Sequence, residues 1–524
     1  MRKIKYILLI LSWIFCLGNL SAMQRPNIVL IYADDLDADE LNYTMNSVYT
    51  WASAHGARRV IGKGRKAGSP KVLTPHIDSL AEDGLLFNRF YVNGTVCTSS
   101  RYCLLTGRYA TRGIELQEDY PVGTHATLEW RPAIVREETN LAKEMQKLGY
   151  RTGIIGKWHN MPDKVLPKRN KKVHQANASY EMTKEHEQAI RDYYEAGIAY
   201  LSEGFGWDVV DRMEWGNSIV NLDWQCEGAL KFIEESQAEP FFLYCSLPVP
   251  HGQYYFDYND VMSYDLRVTS AGIYEEPIVV LPKAEDVLIR TRAAGVVDKN
   301  AMATRMDDYV GALLAKIDAL GLSENTIVIF TSDHGSRGKN SVYEGGAKVP
   351  MMIKWPRLIQ AGSENDDLIG NIDIAATLIE IAGGIAPIDM ILDGRSFFSL
   401  LFGKKLQTDW RKEMLIEAGN TRGIVTREWK YVANRVPPDI EVKMKERPRE
   451  VFWTGVDHHN YQTEQMYPGY WDADQLYDLK NDLYEQQNLS QEPEHQAKLI
   501  QMQKYLDKVV AGLPHTFGEF GNFK

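Results

Sequence analysis

Five short apolar runs, Asn27 to Tyr32, Thr152 to Ile155, Phe241 to Ser246, Thr326 to Phe330 and Pro350 to Lys354, are separated by stretches with apolar residues at three- and four-residue spacing. Runs this short and this apolar suit strands buried on both faces, and parallel strands need helical crossovers, so the alternation restricts the chain to an α/β layered fold. The predicted helices run through Ile77 to Ala81, Leu141 to Leu148, Cys226 to Glu234, Arg305 to Leu320 and Ile372 to Ala382. The result is a doubly wound, mostly parallel sheet flanked by helices, reaching to about residue 405. After Lys404-Lys405 the texture changes to strand-like segments at Glu413 to Ile416, Gly423 to Thr426 and Lys430 to Ala433, then one late helix from Glu492 to Val510. These predict a smaller C-terminal unit over 406–524, an antiparallel sheet with a helix packed on it. At 524 residues the chain exceeds the size at which one core usually stops growing, in line with two units.

Residues 1–22 read differently. A basic MRKIK, an apolar YILLILSWIFCLGNL and then Leu20-Ser21-Ala22 have the three-part form of a signal peptide, leaving a main domain over 23–405. The apolar stretch is shorter than the roughly 20 residues a spanning helix needs, so no stable membrane insertion is expected. Residues Ile14-Phe15 before Cys16 lack the small side chains of a lipid-attachment signal. The four remaining cysteines, Cys97, Cys103, Cys226 and Cys245, are too few for a disulfide scaffold and too scattered for a zinc site. One or two bridges are the most they allow. A net charge of -11 speaks against nucleic acid as a partner, because phosphate binding needs concentrated basic surface.

Asp34-Asp35 follow the first strand directly, where a doubly wound sheet places its ligands. Asp333-His334 leave the strand Thr326 to Phe330 in the same way, with Gly335 allowing a tight turn. Two acidic pairs at two strand ends can converge on a cation. Three carboxylates and an imidazole make a hard, oxygen-dominated set that suits one divalent ion, Ca²⁺ in preference to Mg²⁺, and lacks the thiolates a soft metal favours.

Cys97-Thr98-Ser99-Ser100-Arg101 with Thr106-Gly107-Arg108 has the texture of a loop feeding a helix whose N-terminus carries the cysteine. The run resembles the signature of the type I sulfatases, in which the cysteine is oxidised to formylglycine. The resemblance continues in order through Pro26-Asn27-Ile28-Val29, Thr74-Pro75-His76-Ile77-Asp78, Gly156-Lys157-Trp158-His159, Pro250-His251, Thr331 to Gly335, Lys339, Tyr343 to Pro350, Asn371 to Ala375, Asp393 to Ser396 and Gln475 to Leu479 with Glu485 and Asn488-Leu489. It implies an alkaline-phosphatase-like fold and a sulfuric ester hydrolase acting on a sulfated carbohydrate.

By that resemblance Asp34, Asp35, Asp333 and His334 hold the cation, which also contacts residue 97. Arg101, Lys157 and Lys339 surround the nucleophile and the sulfate and neutralise charge in the transition state. His159 and His251 are the acid/base pair. The hydrated aldehyde of residue 97 attacks sulfur while His251, with Lys339 nearby, protonates the leaving alcohol; a second hydroxyl, deprotonated by His159, then expels sulfate. A maturating enzyme that makes formylglycine is the implied partner. Ser99 departs from the usual Pro or Ala of the signature, a small residue that bears on how efficiently that enzyme converts Cys97.

The stretch Leu36 to Leu73 is longer than the family pattern and carries Arg58, Arg59, Lys63, Arg65 and Lys66, which suit further sulfates or uronates of a polymeric substrate. Tyr109 to Trp130 and Asn160 to Trp215 are rich in Trp, Tyr, His and charged residues, which suit sugar stacking and hydroxyl recognition but equally a surface insertion, so no subsite follows from them by sequence alone. The sequons at Asn42 and Asn93 matter if the source glycosylates. Competing readings are a phosphomonoester or phosphodiester hydrolase of the same superfamily, which needs a second metal-ligand set, and an inactive homologue that binds anionic glycans. Export to a bacterial periplasm fits a glycan substrate, with a secreted or lysosomal setting second.

Overall fold

The computed structural model describes residues 25–519 except 39, 42–71, 163, 169–178, 217–218, 252–264, 386–389, 405–409 and 448–462. The leader, the five basic residues expected in a substrate loop, Asn42 and the expected domain boundary therefore lie outside the described residues.

Eight strands form the main sheet in the order β8-β2-β7-β6-β1-β5-β3-β4. They are β1 Asn27–Ala33, β2 Leu85–Phe87, β3 Arg151–Lys157, β4 Val209–Glu214, β5 Phe241–Ser246, β6 Thr326–Ser332, β7 Met351–Lys354 and β8 Ser363–Asn365. β1 runs parallel to both β5 and β6, and β3 runs parallel to β5 and β4. Antiparallel pairing enters where β7 meets β6 and β2. Helices among the described residues include α1 Pro75–Glu82, α2 Cys97–Thr106, α3 Leu141–Lys147, α4 Glu187–Leu201, α5 Leu222–Glu235, α6 Ala301–Ala319 and α7 Ile372–Ile381.

β1 shows why its run is apolar from Ile28 to Ala33. Ile28, Leu30 and Tyr32 point into one core, whereas Val29, Ile31 and Ala33 point into the core on the other face. Alternate side chains leave a strand on opposite faces, so a strand covered by helices on both sides favours apolar residues on both. All seven residues are buried.

The second sheet is fully antiparallel: β9 Met414–Ala418, β10 Thr421–Val425, β11 Trp429–Asn434 and β12 Asp474–Asp478, in that order. Helix α8, Gln496–Val510, packs on β10 and β11 through Leu499, Met502 and Leu506. The expected antiparallel unit with a late helix is thus present. Of the elements named here, the sequence reading missed β2, β4, β8, β12 and α4.

Backbone and side-chain bonds tie the segment before α2 to β9 of the second sheet. Glu417 N–H donates to the Asn93 carbonyl at 2.9 Å, and Asn93 Nδ2 donates to the Leu415 carbonyl at 2.7 Å. Asn93 is completely buried, so its sequon is closed to modification in the folded chain. All four cysteines expected in the mature chain are free and buried, and no bridge forms between them. No helix among the described residues is long and apolar enough to cross a membrane.

Candidate active site

Because β1 and β6 are parallel neighbours with Ala33 opposite Ser332, their carboxyl ends deliver Asp34-Asp35 and Asp333-His334 side by side. Asp333 N–H donates to the Ala33 carbonyl at 3.0 Å, and Asp35 N–H donates to Asp333 Oδ1 at 3.1 Å. Asp35 sits at φ +66°, a left-handed conformation that costs a residue with a Cβ on the order of 1–3 kcal/mol and persists where contacts fix it.

Cys97 is the first residue of α2, whose ten residues are all buried. Its Sγ lies 3.3 Å from His334 Nε2, 3.5 Å from Asp34 Oδ1 and 3.6 Å from Lys157 Nζ. One turn on, Arg101 Nη2 reaches Asp333 Oδ2 at 2.9 Å and Asp34 Oδ2 at 3.4 Å. Ser246 and Tyr244, at the end of β5, hold the other guanidinium nitrogen. Ser99 is accommodated without strain on α2: its Oγ donates to the Val96 carbonyl at 3.2 Å.

Lys157 ends β3 after a register shift between Ile155 and Gly156. Gly156 has φ +99°, and a Cβ there would stand 2.1 Å from the Ser246 carbonyl oxygen, so this bulge requires glycine. The bulge re-aims the strand's last side chain, and Lys157 pairs with Asp34. Lys339 Nζ approaches Asp35 Oδ1 at 3.0 Å, and His251 Nε2 lies 3.7 Å from Asp35 Oδ2. His159 follows β3, its ring 6.5 Å from that of Trp130, with Nδ1 lacking a hydrogen-bond partner among the described residues.

Three buried carboxylates therefore face three buried cations. Burial alone pushes the Asp34 carboxyl up, yet Lys157, His251, Arg101 and Lys339 together hold it well below the usual range. Asp35 is likewise lowered against burial, by Lys339, His251 and His334. Asp333 goes the other way, raised by burial and by the Asp34 charge. Burial and the same Asp34 charge push the Cys97 thiol up. Burial and Lys157 depress His159 well below the usual histidine value. Burial brings His251 down to about 4, against the pull of Asp35 and with the help of Lys339.

Asp34, Asp35, Cys97 and His334 each offer a ligand atom, and these atoms lie within 4.8 Å of one another. That spacing and an oxygen-rich donor set fit one hard cation. Asp333 stands beside this group with Oδ2 taken by Arg101 and Oδ1 lying 3.6 Å from His334 Nε2. Of the ten residues singled out in the sequence, eight pack tightly together, His251 reaches Asp35 from the rim, and His159 lies close enough to feel the Lys157, Asp34 and Arg101 charges. Sequence reasoning missed Tyr244 and Ser246, which carry no motif, and Trp130, whose aromatic-rich surroundings gave no spacing to read.

A family model described as Sulfatase matches residues 26–385. Among curated relatives, the ulvan-active sulfatase of Formosa agariphila is 27% identical over 484 residues, covering 90% of this chain and 78% of the relative. The N-acetylgalactosamine-6-O-sulfatase of Bacteroides thetaiotaomicron is 26% identical over 529 residues, covering 90% and 91%. A solved structure bound to its substrate D-glucosamine-2-N,6-O-disulfate superposes with TM-score 0.58 at 18% identity, covering 93% of this chain and 98% of that one; at this identity it speaks for the fold. The family match spans most of the chain and includes the residues of both strand ends and of α2, so the chain belongs to the sulfatase family of sulfuric ester hydrolases.

Proposed function

We propose that the protein removes a sulfate ester from a sulfated poly- or oligosaccharide, and that residue 97 acts after oxidation of its thiol to formylglycine. The observation that carries this reading is the setting of Cys97. It stands buried at a helix N-terminus with His334 Nε2 at 3.3 Å and Lys157 Nζ at 3.6 Å from its sulfur and a cation site beside it, so the charges of the site converge on the atom at position 97. Relatives named for ulvan and for N-acetylgalactosamine 6-O-sulfate support the carbohydrate class.

The hydrate of formylglycine supplies two hydroxyls on one carbon, one to take the sulfuryl group and one to expel sulfate, which a thiol cannot do. A divalent cation, Ca²⁺ before Mg²⁺, would be held by Asp34, Asp35, Asp333 and His334 and supplies Lewis-acid polarisation when bound. The chain's own residues do the rest. Arg101 from the α2 side and Lys157 from the β3 side would fix and neutralise the sulfate. His251, with Lys339 nearby, would protonate the leaving alcohol, both groups facing Asp35. His159, neutral with an unpartnered nitrogen, is the base.

A phosphatase reading finds less support. Among the described residues the other group that could hold a metal is His76, Asp307 and Asp308, where Asp307 instead accepts the N–H groups of His76 and Ile77 at the start of α1. Residues 1–22 support export, with the periplasm first and a secreted or lysosomal site second, and a formylglycine-generating enzyme as the partner that acts before folding. N-terminal sequencing of the mature protein should begin after Ala22.

The test is sulfate release from a panel of defined sulfated sugars, with and without chelator. We expect at least one sugar to be desulfated and chelation to stop it. Release of phosphate from matched phosphate esters, with none of sulfate, would overturn the reading.

A further inference from the structure

Trp130 stands at the mouth of this site and none of the sequence motifs accounts for it. Its side chain is 37% exposed. Lys339 Nζ lies 5.8 Å from its ring centroid and the His159 ring 6.5 Å away, so one aromatic surface borders both a charge-neutralising lysine and the base.

The segment that carries it is clamped at both ends. Leu128 exchanges backbone bonds with Gly419, in the turn between β9 and β10. Ile134 N–H donates to the Asn160 carbonyl at 3.0 Å, and Asn160 Nδ2 donates to the carbonyls of Pro132 at 2.9 Å and Thr98 at 2.7 Å. Asn160 therefore ties this segment to α2 one residue after the nucleophile position and one residue after His159. An exposed indole normally costs solvation, and a rigid one fixed beside reacting groups is the arrangement of a preorganised recognition surface.

We propose that Trp130 is the platform for the pyranose ring that bears the scissile sulfate. The inference rests on the carbohydrate reading above. A sugar ring has one face lined by C–H groups and an edge of hydroxyls, so it can cover the indole while its sulfate points past Lys339 to residue 97. Trp130 is a positioning residue: it holds the sugar and leaves the chemistry to its neighbours.

The experiment compares wild type with Trp130→Ala and Trp130→Tyr on two esters, a sulfated monosaccharide from the panel and a short alkyl sulfate that has no ring. In Trp130→Ala, losing the covered apolar surface should raise KM for the sugar about tenfold with a much smaller change in kcat. The ratio of sugar to alkyl kcat/KM should fall by the same factor, and Trp130→Tyr should recover most of it. A parallel titration of the Cys97→Ala chain with the same sugar should quench tryptophan fluorescence, a signal lost when Trp130→Ala is added. Equal losses on both esters would show that Trp130 acts through Lys339 and would overturn the proposal, as would an unchanged KM for the sugar. Wild type that desulfates no sugar would instead overturn the carbohydrate reading itself.

Discussion

At the scale of single residues, charge decides what each group can do. Lys339 and Lys157 are buried against Asp35 and Asp34, where a fixed cation stabilises developing charge far better than in water. Replacing either by Ala should lower kcat/KM by about 10²–10³-fold, the magnitude typical of one lost electrostatic contact in a closed site. His159 supplies a pH test. Because burial and Lys157 depress it, its neutral, proton-accepting form persists as pH falls below the usual histidine value of about 6.5. Single-turnover sulfate release should therefore keep its rate below that pH and fail at a lower one. The charged residues of the site were legible in the sequence because the chemistry demands their types at strand ends and at a helix start. Trp130, Tyr244 and Ser246 were not, since packing and register place them and no local pattern marks them.

At the scale of elements, two features aim the site. β1 is buried on both faces, and Ile31→Ala should destabilise the fold by about 2–5 kcal/mol in denaturant titration, the range for an emptied core position. Gly156→Ala should cost activity as well, since a Cβ 2.1 Å from the Ser246 carbonyl cannot fit without displacing β3 or β5 and Lys157 with it. Strand ends shift by a few residues from the sequence reading, as at Arg151–Lys157 against Thr152 to Ile155, because polar residues continue a strand when neighbours supply ladder partners. β2 has three residues and β4 mixes Asp211, Arg212 and Glu214 into an edge strand. Neither length nor periodicity could reveal them. Other family motifs prove to be scaffold: Asp393 grips Arg112 at 2.7 and 2.9 Å, and Asn371 Nδ2 donates to the Ser100 carbonyl at 3.0 Å, which fixes α2.

At the scale of the whole molecule, the two sheets are locked by a buried charge cluster. Lys430 of β11 pairs with Glu344 at 2.7 Å and Glu485 at 2.8 Å, while Tyr343 and Tyr467 stack beside them with centroids 3.9 Å apart. Removing Lys430, as in Lys430→Met, should cost about 3–5 kcal/mol, because it leaves buried carboxylates unpaired. Burial pushes Glu485 up to about 7, beyond what Lys430 recovers. The folded chain then keeps a proton that the unfolded chain loses near the ordinary value of about 4.3, so stability falls as pH rises from there to about 7. Glu485→Gln should flatten that slope. The sequence pointed to Glu344 and Glu485 as parts of separate motifs, but their meeting at Lys430 depends on how the sheets pack, which no local pattern encodes.

The claim on which the rest depends is that residue 97 is not a cysteine in the working protein. Mass analysis of the peptide spanning residue 97, taken from active protein matured in its native host, tests it directly. The account predicts formylglycine or its hydrate at that position in the active fraction. Fully active protein carrying an intact Cys97 thiol in every molecule would contradict it.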